Sequence, residues 1–117
     1  MEVKTLFVSS SDAYADIWPA FFTLFRRYWP DFNGTIYLNT EKREFSFPGL
    51  EIICTKVGTQ KSFGRTFKLG LGKLPEETFL LMMIDYFIED MVDVAVLNRL
   101  YDRFVRTPRL DSITLMH

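Results

Sequence analysis

The sequence is poor in the side chains on which much enzyme chemistry depends. Its 117 residues include one cysteine, Cys54, and one histidine, His117, which is the last residue. A disulfide within the chain needs two cysteines, and a zinc site built from Cys and His needs more ligands than these two, so both are excluded. A Ser-His-Asp or Cys-His arrangement would have to use a histidine at a chain end. Any chemistry therefore depends on carboxylates, Lys, Arg, Tyr or a bound metal ion.

Long apolar runs and an excess of one charge are also lacking. The longest apolar run, Phe79–Ile84, is far shorter than the ~20 residues that a helix needs to span a bilayer. Fourteen basic and fifteen acidic side chains leave a net charge of −1, without the broad positive potential of a nucleic-acid-binding protein. The start of the chain carries Glu2 and Lys4 and does not resemble a signal peptide. We therefore expect a cytoplasmic protein with no membrane span and no nucleic-acid partner.

The apolar residues that are present form an alternating series of strand and helix patterns. Short β-rich runs predict strands at Thr5–Val8, Thr35–Leu38, Leu50–Val57, Phe79–Ile84 and Ile113–Met116. Apolar side chains at three- and four-residue spacing predict helices from near Asp16 to Tyr28, over Ser62–Leu74 and over Asp93–Val105. The charged, turn-rich segment Glu41–Gly49 is predicted to be a loop.

The first predicted helix is marked by aromatic side chains. Its apolar stripe consists of Tyr14, Trp18, Phe21, Phe25 and Tyr28. Proline has no N–H and fits a helix only in the first turn, so Pro19 requires the helix to begin near Asp16. Arg26 and Arg27 lie in the last turn, where cations interact favourably with the helix dipole.

Strands separated by helices are typical of an α/β protein. We expect a single α/β domain over residues 1–117, with a mostly parallel sheet and helices on both faces. The continuously apolar run Phe79–Ile84 predicts a strand that is buried on both faces. Because no helix pattern follows Ile113–Met116, we expect either the first half of a larger α/β domain or an edge strand that pairs with a partner or a second copy.

Polar residues follow the first predicted strand, at Ser9, Ser10, Ser11 and Asp12. In open parallel sheets, ligands bind beyond the carboxyl ends of the strands. A functional interpretation is a loop that holds a nucleotide or sugar through hydroxyls, backbone N–H groups and the Asp12 carboxylate. The structural alternative, which the pattern alone favours, is a turn whose Ser and Asp side chains cap the next helix.

An acidic residue, Asp85, directly follows the most apolar strand. A carboxylate at this position can bind Mg²⁺ or Mn²⁺, which neutralises a diphosphate leaving group. The structural alternative is that Asp85 caps the turn, while the acids at 89, 90 and 93 stabilise the start of the next helix. Cys54 lies within an apolar strand and is predicted to be an inert core residue. The segment Gly70–Lys73 does not match a phosphate-binding loop, because Phe67 stands where its first glycine is required.

Taken together, these segments resemble the N-terminal half of bacterial cell-envelope glycosyltransferases. The most specific parts are Tyr28-Trp29-Pro30-Asp31, Tyr37-Leu38-Asn39-Thr40, and the apolar strand that ends in Asp85-Tyr86-Phe87. The resemblance extends over residues 4–106 and implies the nucleotide-diphospho-sugar transferase fold called GT-A, with a Rossmann-like donor-binding half. The family's acceptor site and catalytic base lie in a C-terminal half, so we expect donor binding without complete catalysis.

The resemblance also implies roles for individual residues. Ser9, Ser10 and Asp12 would face the nucleoside of a nucleotide-diphospho-sugar, and Arg65 would lie near the diphosphate or ribose. Asp85 matches the last acid of the family's metal-binding motif for Mn²⁺ or Mg²⁺. The preceding position, acidic in the family, is Ile84 here, which weakens the expectation of a metal. Two alternatives remain from the residues themselves: a non-catalytic α/β nucleotide-binding module and a protein-interaction module.

Overall fold

The computed structural model of the protein describes residues 3–75, 79–85 and 92–106. Its strands are β1 (Thr5–Ser9), β2 (Thr35–Leu38), β3 (Glu51–Cys54) and β4 (Leu80–Met83). Its helices are a 3₁₀ helix (Asp12–Ile17), α1 (Trp18–Tyr28), α2 (Phe63–Leu71) and α3 (Val94–Arg106). The strand predicted at Ile113–Met116 lies outside the described residues.

The four strands form one sheet in which every pairing is parallel. Their order is β3-β2-β1-β4, so β1 lies between β2 and β4. Leu6 of β1 is in register with Ile36 of β2 and with Leu80 of β4. The predicted α/β class with a parallel sheet is therefore confirmed for the described residues.

Alternation of side chains along β1 shows that both faces of the sheet are covered there. Leu6 and Val8 pack with α1 in the main core cluster, whereas Phe7 contacts Phe67 of α2, with ring centroids 5.7 Å apart. Successive side chains of a strand point to opposite faces, so α1 and α2 lie on opposite sides of the sheet. Leu6, Phe7 and Val8 are all fully buried. The predicted arrangement of helices on both faces is confirmed at β1.

The strand β4 is less buried than its composition predicts. It is the outermost strand on its side of the described sheet, and Leu81 is 45% exposed. Leu81 is in register with Phe7, so its side chain lies on the α2 face, beyond the part that Phe67 covers. The prediction that the strand at Phe79–Ile84 is buried on both faces is therefore wrong, and the strand covered on both faces is β1.

The helix α1 supplies most of the aromatic core. Trp18, Phe21, Phe22 and Phe25 are each at most 2% exposed. Pro19 lies in the first turn, as predicted, but residues before Trp18 form a 3₁₀ helix rather than an extension of α1. Tyr14 is consequently not part of the buried stripe and is 38% exposed.

The loop between β2 and β3 contributes to this core as well. Phe45 lies against Trp18 and Phe22, with ring centroids 5.6 Å away in each case. Phe47 packs beside Phe22. The prediction of a loop over Glu41–Gly49 is correct, but its two Phe side chains cover α1.

Both later helices begin at side-chain caps. The Ser62 Oγ accepts a hydrogen bond from the backbone N–H of Arg65 (3.2 Å), and α2 begins at the next residue. The Asp93 carboxylate accepts one from the N–H of Val96 (3.1 Å) before α3. Leu97 of α3 is buried and packs in the main core cluster. None of the helices among the described residues is long and apolar enough to cross a membrane.

Candidate functional site

The carboxyl ends of all four strands meet at one edge of the sheet. The polar segment Ser9–Asp12 begins at the last residue of β1 there, and Ile84 and Asp85 follow β4. The two segments are neighbours, because the N–H of Ile84 donates to the carbonyl oxygen of Ser9 (3.1 Å). The chain passes from β1 through β2 to β3 on one side, then crosses back to β4 on the other. Ligands of open α/β sheets bind at such a reversal of direction.

Ser9 carries the one buried side-chain hydroxyl at this edge that is without a hydrogen-bond partner among the described residues. Its residue is fully buried, and its Oγ makes no hydrogen bond. A buried hydroxyl without a partner costs about 1–3 kcal/mol relative to a satisfied one. It is therefore a group that an added acceptor or donor would stabilise.

Ser10 lies next to Ser9 but is already hydrogen-bonded. Its Oγ accepts from the indole Nε1 of Trp18 (2.9 Å) and donates to the carbonyl oxygen of Ser11 (3.3 Å). The hydroxyl thus satisfies the polar atom of a buried tryptophan. In the described structure Ser10 supports the packing of α1.

Asp12 holds the loop that follows β2. Its Oδ1 accepts from the backbone N–H of Glu41 and its Oδ2 from that of Lys42, both at 3.0 Å. The N–H of Arg43 lies 3.3–3.4 Å from the two oxygens. In return, the Asp12 N–H donates to Oε1 of Glu41 (3.3 Å). The carboxylate therefore joins the loops after β1 and β2, an arrangement closer to the structural alternative than to a ligand contact.

A second polar cluster lies at the carboxyl ends of β2 and β3. Its residues were not among those that the sequence predicted for the site. The Asn39 carboxamide donates to the carbonyl oxygen of Thr66 in α2 (2.9 Å) and accepts from the Thr55 hydroxyl (2.7 Å). The Thr40 hydroxyl accepts from the N–H of Lys56 (3.1 Å). Polar residues directly after the apolar run Thr35–Leu38 are the sequence signal that could have found this cluster.

This cluster also explains a glycine inside a helix. Gly70 of α2 faces Asn39, and a Cβ at position 70 would overlap the Asn39 carboxamide. The absence of a side chain allows α2 to approach the end of β2 closely. The cluster of Asn39, Thr40, Thr55 and Thr66 thus fastens α2 to the sheet.

Arg65 lies in the first turn of α2, with an exposed side chain. Since α2 follows β3, its N-terminus is on the same edge of the sheet as Ser9 and Asp85. No contact between the Arg65 guanidinium and either of these residues is seen in the described structure. The structure therefore places Arg65 at this edge without a contact to Ser9 or to Asp85 among the described residues.

Asp85 is exposed and directly follows the buried Ile84. Within residues 3–75, 79–85 and 92–106, no group of three or more His, Cys, Asp or Glu side chains is arranged to hold a metal ion. Mg²⁺ is commonly bound by one or two carboxylates together with substrate phosphates and water. Asp85 fits such a metal ion only if a bound diphosphate supplies further oxygen ligands.

Cys54 is not an activated thiol. It is partly buried in β3, its Sγ lies 3.6 Å from the carbonyl oxygen of Phe45, and burial raises its pKa to about 11. A thiol with this pKa is protonated at neutral pH and is a poor nucleophile. The prediction of an inert cysteine agrees with this environment.

A separate depression lies at the opposite, amino-terminal edge of the sheet. It has a volume of about 120 Å³ and lies among Val3, Trp29, Phe32 and Asn98. It contains none of the residues predicted for the site. Trp29 and Phe32 are themselves buried, as expected of packing residues.

Comparison of the chain with protein-family models, curated proteins and solved structures finds no match. Function is therefore inferred from the carboxyl-terminal edge of the sheet. There the backbone N–H of Ile84, the residue before Asp85, donates to the carbonyl oxygen of Ser9. Ser10 and Asp12 are engaged in packing and loop contacts.

Proposed function

We propose that the protein binds a nucleotide-diphospho-sugar at the carboxyl ends of β1 and β4. One observation carries the proposal: the parallel order β3-β2-β1-β4 reverses direction between β1 and β4, where the buried Ser9 hydroxyl has no hydrogen-bond partner among the described residues. This strand order is the first part of the Rossmann order, in which dinucleotides bind at the same reversal. The crevice position and an unsatisfied polar atom both favour a ligand there.

The side chains at this edge have distinct proposed roles. Ser9 hydrogen-bonds the ligand, and Arg65 in the first turn of α2 attracts its diphosphate, aided by the positive end of the helix dipole. Asp85 holds Mg²⁺ or Mn²⁺ together with diphosphate oxygens. Ser10 and Asp12 support the site without contacting the ligand, because their polar atoms are already hydrogen-bonded to Trp18 and to the loop at 41–43.

The resemblance to cell-envelope glycosyltransferases makes a nucleotide-sugar the preferred ligand over a free nucleotide. By that resemblance, residues 4–106 would correspond to the donor-binding half of the GT-A fold. The proposed activity of these residues is therefore donor binding for sugar transfer in polysaccharide synthesis. The acceptor site and catalytic base belong to the C-terminal half of that fold.

A thermal-shift panel tests the proposal directly. UDP-, GDP-, CDP- and dTDP-sugars are each added with Mg²⁺, Mn²⁺ or EDTA. A ligand at ten times its dissociation constant stabilises the folded state by about 1.4 kcal/mol. For a domain of this size we expect a rise in melting temperature of roughly 4–8 °C. No shift with any compound would contradict the proposal.

Asp85→Asn then tests the metal. We expect the variant to lose the part of the shift that depends on Mg²⁺ or Mn²⁺ and to keep its own melting temperature, because Asp85 is exposed. The matched control is Asp31→Asn, an exposed carboxylate between α1 and β2 at the other edge of the sheet. Equal metal-dependent shifts in both variants would remove Asp85 from the site.

A second candidate, a non-catalytic nucleotide-binding module, is favoured by the engagement of Asp12. Of the two carboxylates predicted for the site, Asp12 has both oxygens hydrogen-bonded to backbone N–H groups, which leaves Asp85, preceded by the apolar Ile84. This alternative predicts equal shifts for a nucleoside diphosphate and its sugar derivative, unchanged by EDTA. The donor-binding proposal predicts a preference for the sugar derivative.

A further inference from the structure

Two aromatic side chains stand out by their exposure at the carboxyl-terminal edge. Tyr14 is 38% exposed and Phe63 is 40% exposed, whereas the aromatic residues of α1 at positions 18, 21, 22 and 25 are at most 2% exposed. The two rings contact each other, with centroids 6.3 Å apart and planes at 83°. They come from segments 49 residues apart in sequence that the fold brings together.

Both rings are attached to well-fixed backbone. The N–H of Tyr14 donates to the carbonyl oxygen of Ser11 (3.0 Å), within the segment that the Asp12 carboxylate joins to residues 41–43. Phe63 follows Ser62, whose hydroxyl caps α2. Exposed rings held by ordered backbone lose little conformational entropy when a ligand packs on them.

Positive charge lies beside this aromatic pair. Lys61 and Arg65 flank Phe63 two residues away on either side, and both are exposed. The N-terminus of α2 adds the positive end of its dipole. Because the two ring planes are nearly perpendicular, a planar group that stacks on one ring meets the edge of the other. Exposed rings next to cationic side chains suit a ligand that combines a planar ring with phosphates.

We infer that Tyr14 and Phe63 form a stacking surface for the nucleobase of the bound nucleotide. The inference rests on the proposed function and adds to it the place of the base, with the diphosphate directed from the aromatic pair toward Asp85. An aromatic surface accepts any base through its π face, so these residues contribute affinity rather than choice among bases.

The experiment measures binding of UDP, GDP, CDP and ADP, and of inorganic pyrophosphate, to the whole chain by isothermal titration calorimetry with Mg²⁺. In Tyr14→Leu and Phe63→Leu the apolar character is kept and the ring is lost. We expect each to weaken the nucleotide that binds best to the unmodified protein by about tenfold, in line with the loss of one base–aromatic contact. Pyrophosphate affinity is expected to stay unchanged, because pyrophosphate has no base.

Controls separate stacking from a structural effect. Tyr14→Phe retains the ring and should keep the affinity for the nucleotide. Ile53→Ala removes a side chain of similar exposure from the middle of β3 and should change neither affinity. Equal weakening of nucleotide and pyrophosphate in the Leu variants, or no weakening of either, would overturn the inference while leaving the proposed function intact. Failure of the unmodified protein to bind any nucleotide would instead overturn the proposed function.

Discussion

All four strands end at the same edge of the sheet. The polar side chains at the ends of β2 and β3 have a different environment from those at the ends of β1 and β4. At β2 and β3, Asn39 and Thr55 are hydrogen-bonded to each other, to the backbone or to α2. At β1 and β4, the Ser9 hydroxyl has no partner in the described part of the chain and Asp85 is exposed. Polarity at a strand end is therefore not by itself a sign of a binding site.

The two pairs of strand ends differ because different segments of the chain pack over them. The end of β2 is covered by α2, which approaches closely through Gly70, and by the loop that Asp12 holds. A buried polar group in such a place must be satisfied within the protein. The junction of β1 and β4 lies where the chain reverses direction, the position at which we propose that a ligand binds.

Asn39→Ala is expected to have the largest effect, and it tests the hydrogen-bonded cluster at the carboxyl ends of β2 and β3. It removes the acceptor for the Thr55 hydroxyl and the donor to the Thr66 carbonyl, both of them buried. We expect unfolding to become easier by about 2–4 kcal/mol, measured by chemical denaturation. The control is Asn33→Ala, because the Asn33 side chain accepts an exposed hydrogen bond from the Lys4 ammonium (2.7 Å). Its expected change is within about 0.5 kcal/mol. Similar costs for the two variants would show that the Asn39 cluster does not fasten α2.

Asp12→Asn tests the hydrogen bonds by which the Asp12 carboxylate joins the loops after β1 and β2. The carboxamide nitrogen would face a backbone N–H instead of accepting from it. We expect a loss of about 1–2 kcal/mol in the free energy of unfolding at neutral pH. Asp16→Asn, an exposed change in the same 3₁₀ helix, serves as the control and should be close to neutral. A neutral Asp12→Asn would return Asp12 to the group of ligand-binding candidates.

Among these variants, Ser9→Ala should change the free energy of unfolding least. Its effect should also be opposite in direction to that of Ser10→Ala. Removing a buried hydroxyl without a partner is expected to leave stability unchanged or raise it by up to about 1 kcal/mol, while nucleotide binding weakens. Ser10→Ala deprives the Trp18 indole N–H of its acceptor and should cost about 1–2 kcal/mol. Thermal unfolding and nucleotide titration of the two variants check this contrast. If Ser9→Ala were as costly as Ser10→Ala, Ser9 would be a structural residue.

Much of the fold was predictable from local patterns. The positions of β1, β2 and α3 follow from apolar periodicity, and Pro19 and Asp93 mark helix starts through their backbone chemistry. The exposure of Leu81 was not predictable, because an apolar run does not state how far a covering helix extends. Tyr14 was misplaced for a related reason: its spacing continues the stripe of α1, but the backbone before Trp18 is a 3₁₀ helix.

The candidate site was predictable only as a list of polar residues after strands. Ser9, Ser10 and Asp12 are equivalent in the sequence, since all three follow the predicted strand Thr5–Val8. Their different environments arise from Trp18 and from the loop at 41–43, which reach them only in the folded chain. Asn39 and the Tyr14–Phe63 pair were missed because their partners are distant in sequence.

The sequence by itself determined the α/β alternation, and its one cysteine and one histidine excluded a disulfide within the chain and a zinc site built from Cys and His. Periodicity and residue inventory are local or compositional properties, so they can be read without the fold. The tertiary structure decided the order β3-β2-β1-β4, which strand is buried on both faces, and which polar groups keep a partner within the protein. Those features depend on contacts between distant segments, whose pairing is set by packing and hydrogen bonding together.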